Sequence, residues 1–209
     1  VPGGALLIGS DGRIEAVGPA ATVPAPPGVR DQAFAGAALL PGFVNAHTHL
    51  ELTGLAGPVE EQDFSRWIRG VRELKAGRTA ADFRAAARQG VRDAYAAGMT
   101  MVLDTGDSGA VLPALVEAGG AGVVYQEVFG PNPDQQAESL AALTAMVDDL
   151  MPAASGRVRL GLSPHAPYTV SGPLYRATAD LARARGLPLA VHLAESLAET
   201  DFVARHRGH

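Results

Sequence analysis

From residue 40 onward the chain alternates apolar runs of strand length with stretches of helical periodicity, and no other feature restricts its folds as much. The runs LLPGFVNAH (39–47), TMVLDTG (100–106), AGVVYQEVFG (121–130), VRLGLSPHA (158–166) and LPLAVHLA (187–194) are bounded by Gly, Pro or Asp and read as five strands. Between them, residues 79–98 set Phe83, Ala87, Val91 and Ala94 at helical spacing, with Thr79 and Asp82 placed as a capping box and Gly98 as the stop. Residues 108–120, 133–151 and 171–186 repeat the scheme, each opening near Ser or Pro, with Ser171 read as a helix cap. Strands apolar almost throughout and separated by helices imply a parallel sheet covered by helices.

The first residues differ. ALLIG and RIEAVG flank an SDG turn within residues 5–19, a strong hairpin signal, and the Pro- and Ala-rich AATVPAPPGVR that follows reads as a connection. This divides the chain into a small β element, residues 1–36, and a main domain, residues 37–209.

Two architectures fit five βα units: an open doubly wound sheet, or the first part of a (β/α)₈ barrel, which needs roughly 250 residues. Polar residues gather at strand C-termini, namely His47, His49, Asp104, Glu127, His165, His192 and Glu195. Several strand ends converging on one site is what the catalytic face of a barrel requires.

Composition narrows the chemistry. With no cysteine, the 209 residues can hold a transition metal only through His and carboxylate, which puts weight on the six histidines. A net charge of −5 gives no electrostatic reason to bind nucleic acid or an anionic membrane. No apolar run is long enough to span a bilayer, and the N-terminus lacks the pattern of a secretory signal, so the expected location is the cytoplasm.

In PGFVNAHTHLEL (41–52), residues two apart on an extended strand point the same way, so His47 and His49 can aim at one point while Thr48 faces away. Neutral imidazoles so placed suit zinc or iron(II); a pair of loop histidines bonding to backbone is the alternative. His192 ends the apolar run LPLAVHLA and needs a defined partner there. Backbone bonding would satisfy it, but Glu195, three residues on, could reach the same mouth and move protons at a metal-activated water. His165 stands in LSPHAPYTVSGP, held by Pro164 and Pro167 in a rigid loop, either as strand-end punctuation or as a contact for a polar substrate. Asp104 and Glu127 read as supporting residues or as acceptors for amides at the strand ends.

These three motifs, PGFVNAHTHLEL, LSPHAPYTVS and LAVHLAES..E, in this order and at strand ends, resemble the amidohydrolase superfamily. Within it they are similar to the branch of cytosine, guanine, S-adenosylhomocysteine and aminodeoxyfutalosine deaminases and triazine hydrolases. The resemblance implies a metal-bearing (β/α)₈ barrel with a small β-sandwich, to which the hairpin of residues 5–19 would contribute. It implies His47, His49 and His192 as metal ligands, Glu195 as proton carrier, His165 as substrate contact and one divalent ion, zinc before iron. Trp67, in DFSRWIRGV, falls where relatives keep an aromatic residue near the substrate; helical spacing with Phe64 and Val71 also fits a core residue. Relatives with two metals bridge them by a carboxylated lysine on strand four; here that region holds His165, and the only lysine, Lys75, lies upstream in a helix, so a single-metal site is expected.

The implied reaction is deamination of an adenine-type nucleoside, a small-molecule substrate, through a metal-activated water. Hydrolysis of another amide-like or halogenated heterocyclic bond is the alternative enzyme reading. The resemblance also implies a further histidine from a sixth strand and an aspartate from an eighth, which these residues do not contain, so the chain reads as a portion of a longer protein. His206 and His209 match no motif and read as solvated helix-end residues. As an isolated piece it would expose unpaired strand edges, which favour homo-oligomers and keep a non-catalytic binding fragment open as a third reading.

Overall fold

The structure, a computed structural model, describes residues 2–55, 57, 61 and 63–205; His206 and His209 lie outside them. The chain divides into two compact units, Val1–Leu40 and Pro41–His209.

In the first unit, β1 (Gly4–Ile8) and β2 (Ile14–Pro19) pair antiparallel, Ala5 opposite Gly18 and Leu7 opposite Ala16. Gly12, at φ +78°, turns the chain, and the Asp11 carboxylate accepts from the Arg13 amide at 3.0 Å. Asp-Gly does what such a pair does between apolar runs. Leu7 is buried, whereas Val17 stands 74% exposed. This hairpin is the only sheet among the described residues of the unit.

The second unit is an α/β structure built on four parallel strands: β3 (Phe43–Thr48), β4 (Met99–Gly106), β5 (Ala121–Val128) and β6 (Arg157–Pro164). They lie side by side in chain order, with no reversal. Helices α1 (Phe64–Ala76), α2 (Ala80–Ala96), α3 (Val111–Glu117), α4 (Gln136–Leu150), α5 (Gly172–Arg185) and α6 (Leu197–Arg205) complete the unit. The core gathers Ala87 and Val91 from α2, Leu112 and Leu115 from α3, Val147 from α4, Leu174 from α5, and Val102, Leu160 and Leu162 from the strands. The capping box of α2 forms as expected: Thr79 Oγ1 accepts from the Asp82 amide at 3.2 Å, and Asp82 Oδ2 accepts from the Thr79 amide at 2.8 Å. Ser171 occupies the cap position of α5, but its hydroxyl makes no capping bond, and Pro173 removes one of the amides such a cap would serve.

The expected fifth strand is reduced to one bridge, between Leu162 and Leu189. Leu162 donates to Pro188 at 2.9 Å and Ala190 donates to Leu162 at 3.0 Å. The next rung would need an amide hydrogen on residue 164, which is proline, so the ladder stops there. A second irregularity lies in β3, where three residue steps from Asn45 to Thr48 oppose two steps from Val102 to Asp104. The extra residue is a bulge between Asn45 and Thr48, a stretch that includes His47.

Below that bulge the chain is bolted by charge. Lys75, on α1, reaches the buried Glu51 carboxylate at 2.6 Å and also the Asp107 carboxylate. Glu51 Oε2 accepts from the Ser108 amide at 3.0 Å, and Arg78 donates to the Glu51 and Thr53 carbonyls at 2.8 and 2.9 Å. Gly106 is required here, since a Cβ would sit 2.6 Å from Glu51 Oε2. Burial opposes the charge of Glu51, but the Lys75 ammonium and the Ser108 donors outweigh it and hold the carboxyl below its ordinary range. No described helix is long and apolar enough to cross a membrane.

Lys75→Met would leave Glu51 buried without its cation and is expected to cost about 3 kcal/mol. The double variant Lys75→Met/Glu51→Gln should recover part of this loss. Urea unfolding measures both; a single-variant cost below about 1 kcal/mol, the range of exposed pairs, would show that the triad does not hold the fold.

Candidate metal centre

Three histidines from two separated segments meet at the C-terminal ends of the strands. The ligand atoms of His47, His49 and His192 all lie within 4.8 Å of one another. The His47 ring stands edge-on to both others, with centroids 4.9 and 4.8 Å away, while His49 and His192 stack at 5.3 Å. Strand alternation alone would have aimed the HTH pair; in the structure β3 ends at Thr48 and the turn at His49 brings its ring beside that of His47.

The hydrogen bonds decide what these rings offer. His49 Nδ1 lies 2.8 Å from the Thr105 carbonyl, and His192 Nδ1 lies 3.2 Å from the His165 carbonyl. A carbonyl can only accept, so in each neutral ring Nδ1 carries the proton and Nε2 presents a lone pair. The two Nε2 atoms face each other at 3.4 Å. Two lone pairs so placed repel unless a cation lies between them. Their separation suits two nitrogens sharing one tetrahedral ion with bonds of about 2.0 to 2.1 Å. Burial, followed by the neighbouring His192, lowers the His49 pKa to about 4. Burial and His192 also lower His47, with Glu195 opposing them. The neutral, ligand-competent form therefore prevails at pH 7.

Buried acids line the floor. Asp104 Oδ2 accepts from the Leu50 amide at 2.6 Å, so this residue serves a strand-end amide, as one of its two sequence readings expected. Its other oxygen has no partner, and burial drives its pKa well up. Glu127 is also buried, with Oε1 unpartnered and 3.8 Å from His192 Nδ1. Burial pushes its pKa up to about 8. Glu127, His165 and His192 form a second cluster of ligand-type side chains that shares one histidine with the first.

His165 lies beside the triad. Its Nδ1 is 2.8 Å from Thr169 Oγ1, and its ring lies 4.7 Å from those of both His192 and Phe129. Burial, then His192 and His49, lower its pKa to about 3. Tyr168 meets it edge-on at 5.9 Å, and Phe64 and Trp67 extend this aromatic row at 6.3 and 6.0 Å. Trp67, at 36% exposure, is not the core residue that its helical spacing allowed. Tyr168 donates its hydroxyl to Glu195 Oε2 at 2.7 Å. Sequence reasoning missed this tyrosine, although it stands inside the HAPYT motif, and it left Lys75 remote from the site when the lysine in fact grips Glu51, two residues beyond His49.

The chain is similar to known proteins over most of its length. A family model described as "Amidohydrolase family" matches residues 38–209. The aminodeoxyfutalosine deaminase of Deinococcus radiodurans is 36% identical over 169 residues, 80% of this chain and 39% of that protein. A 5-methylthioadenosine/S-adenosylhomocysteine deaminase of Symbiobacterium thermophilum is 28% identical over 94% of this chain and 46% of its own. The crystal structure of Helicobacter pylori aminofutalosine deaminase in complex with methylthio-coformycin superposes with a TM-score of 0.72 at 25% identity, covering 81% of this chain and 41% of that one. The chain spans less than half the length of these relatives.

The depressed histidine and raised acid give opposite pH dependences. His165, folded near 3 against an ordinary 6.5, refuses protons that the unfolded chain binds, so it contributes stability above pH 6.5 that is lost on acidification. Glu127, folded near 8 against 4.5, keeps a proton that the unfolded chain releases, so its contribution is lost as pH rises through 8. In metal-stripped protein, His165→Gln should therefore gain up to about 2 kcal/mol relative to wild type between pH 7 and 5, and Glu127→Gln should lose ground over the same interval. Denaturation midpoints at both pH values test this, and parallel shifts in the two variants would contradict it.

Proposed function

The chain belongs to the amidohydrolase family, and from that membership we propose that it serves a metal-dependent hydrolase that removes the amino group from the adenine ring of a nucleoside derivative. The observation that carries the reading is the pair of Nε2 lone pairs of His49 and His192 held face to face. The names of the relatives, aminodeoxyfutalosine and methylthioadenosine/S-adenosylhomocysteine deaminases, support the substrate class. The sequential parallel order of β3 to β6 supports a barrel over a doubly wound sheet, whose strand order reverses at a switch point.

In this reading His47, His49 and His192 would hold one divalent ion, zinc by preference, since imidazole nitrogens in a chain without cysteine suit it. The ion supplies Lewis-acid activation of water near neutral pH. Lys75 is engaged by Glu51 and Asp107 and is not free to bridge a second metal. Water adds to the ring carbon bearing the amino group, the carbon–nitrogen bond breaks, and the nitrogen leaves as ammonia. Glu195 takes a proton from the incoming water and delivers it to the departing nitrogen. His165, neutral at pH 7 and locked by Thr169, contacts the substrate, and Trp67 covers the base from the exposed end of the aromatic row.

Metal analysis and an ammonia-release assay on the protein as expressed from its gene, with a panel of adenosine derivatives, test the reading. About one metal per chain and release of ammonia are expected. His192→Ala should abolish both, while Glu195→Gln should keep the metal and lose about 10²- to 10⁴-fold in kcat. A protein with neither metal nor ammonia release is not this enzyme.

A further inference from the structure

We propose that Glu199 and Tyr168 are positioning residues that aim the Glu195 carboxylate into the histidine site, Glu199 by clamping the backbone before α6 and Tyr168 by binding the carboxylate itself. The proposal rests on the reading of Glu195 as proton carrier.

Glu199 lies in the first turn of α6 yet is 3% exposed, an uncommon setting for a glutamate at a helix start. Ser196 precedes the helix, and its hydroxyl accepts from the Glu199 amide at 3.1 Å, which is half of a capping box. The other half is redirected. In an ordinary box the glutamate would return to the Ser196 amide; here its two oxygens accept from the Ala194 and Glu195 amides, at 2.9 and 2.8 Å. The carboxylate thus pins the two residues ahead of the cap, one of which is Glu195.

The turn it pins is strained. Ala194 adopts φ +59°, the only positive φ on a non-glycine among the described residues. Such a conformation is strained for a residue with a Cβ and persists only where the surroundings enforce it. Two charge-assisted bonds from one buried carboxylate provide the enforcement. With the turn so held, Glu195 is presented to the Tyr168 hydroxyl at 2.7 Å. Tyr168 is itself braced edge-on by Phe64 and His165. Helix capping alone would explain neither the choice of amides nor the strained alanine.

A positioning role and a merely structural one differ in a double-variant cycle. Glu199→Gln keeps the shape but loses one acceptor, and Tyr168→Phe removes only the hydroxyl. Each is expected to lower kcat about tenfold or more, since misplacement of a reacting group by about 1 Å can cost 10²-fold. KM and metal content should stay within about twofold. In a Glu195→Gln background neither change should lower kcat further, because the group they aim is gone. Equal losses in both backgrounds, or wild-type kcat in both single variants, would overturn the proposal. Should Glu199→Gln fail to fold, Tyr168→Phe decides alone through the same cycle. Failure of the underlying reading is separate: Glu195→Gln by itself would then turn over at the wild-type rate.

Discussion

Two carbonyl oxygens, those of Thr105 and His165, determine what the histidine cluster can do. Each accepts the Nδ1 proton of an imidazole, His49 in one case and His192 in the other, and so forces the lone pair onto Nε2. Without these acceptors a neutral histidine could hold its proton on either nitrogen, and the two rings could hydrogen-bond to each other in place of an ion. With them, two lone pairs face each other at 3.4 Å, an arrangement that stays unfavourable until a cation enters. Both acceptors are backbone groups at strand ends, so the tautomers follow from the fold and not from any acidic side chain.

The rest of the mouth keeps those ends in place. Three acids converge below the histidines, and burial disfavours the charge of each. They resolve this differently. Glu51 stays charged because Lys75 and the Ser108 donors meet it, and through it α1 is fastened to the turn that follows His49. Asp104 gives one oxygen to the Leu50 amide and rises in pKa. Glu127, with an orphaned oxygen, favours its protonated form near neutrality. The floor therefore carries less negative charge than its composition suggests.

Much of this was legible in the residues. The Asp-Gly hairpin, the Thr79–Asp82 box and the first four alternating apolar runs rest on local rules, and the structure follows them. The approach of His47, His49 and His192 followed from their positions at strand ends. What could not be read was set by long-range partners. Lys75 sits on a helix whose sequence gives no hint of a buried glutamate 24 positions earlier. Glu199 looks like a capping residue until its oxygens are seen to reach past the cap. The bulge in β3 arises from a one-residue mismatch with β4, invisible in either strand alone.

The missing fifth strand shows how such a departure can serve the site. In a continued ladder the His192 amide would donate to the carbonyl of residue 164, and His165 would point its own carbonyl elsewhere. Because Pro164 has no amide hydrogen, the rung cannot close and pairing ends at Leu162 and Leu189. The His192 amide instead donates to the His165 carbonyl at 2.8 Å, and the same oxygen receives the His192 Nδ1 at 3.2 Å. One carbonyl thus fixes both the backbone and the ring of His192. The end of regular pairing and the orientation of the third histidine thus meet at one carbonyl, that of His165.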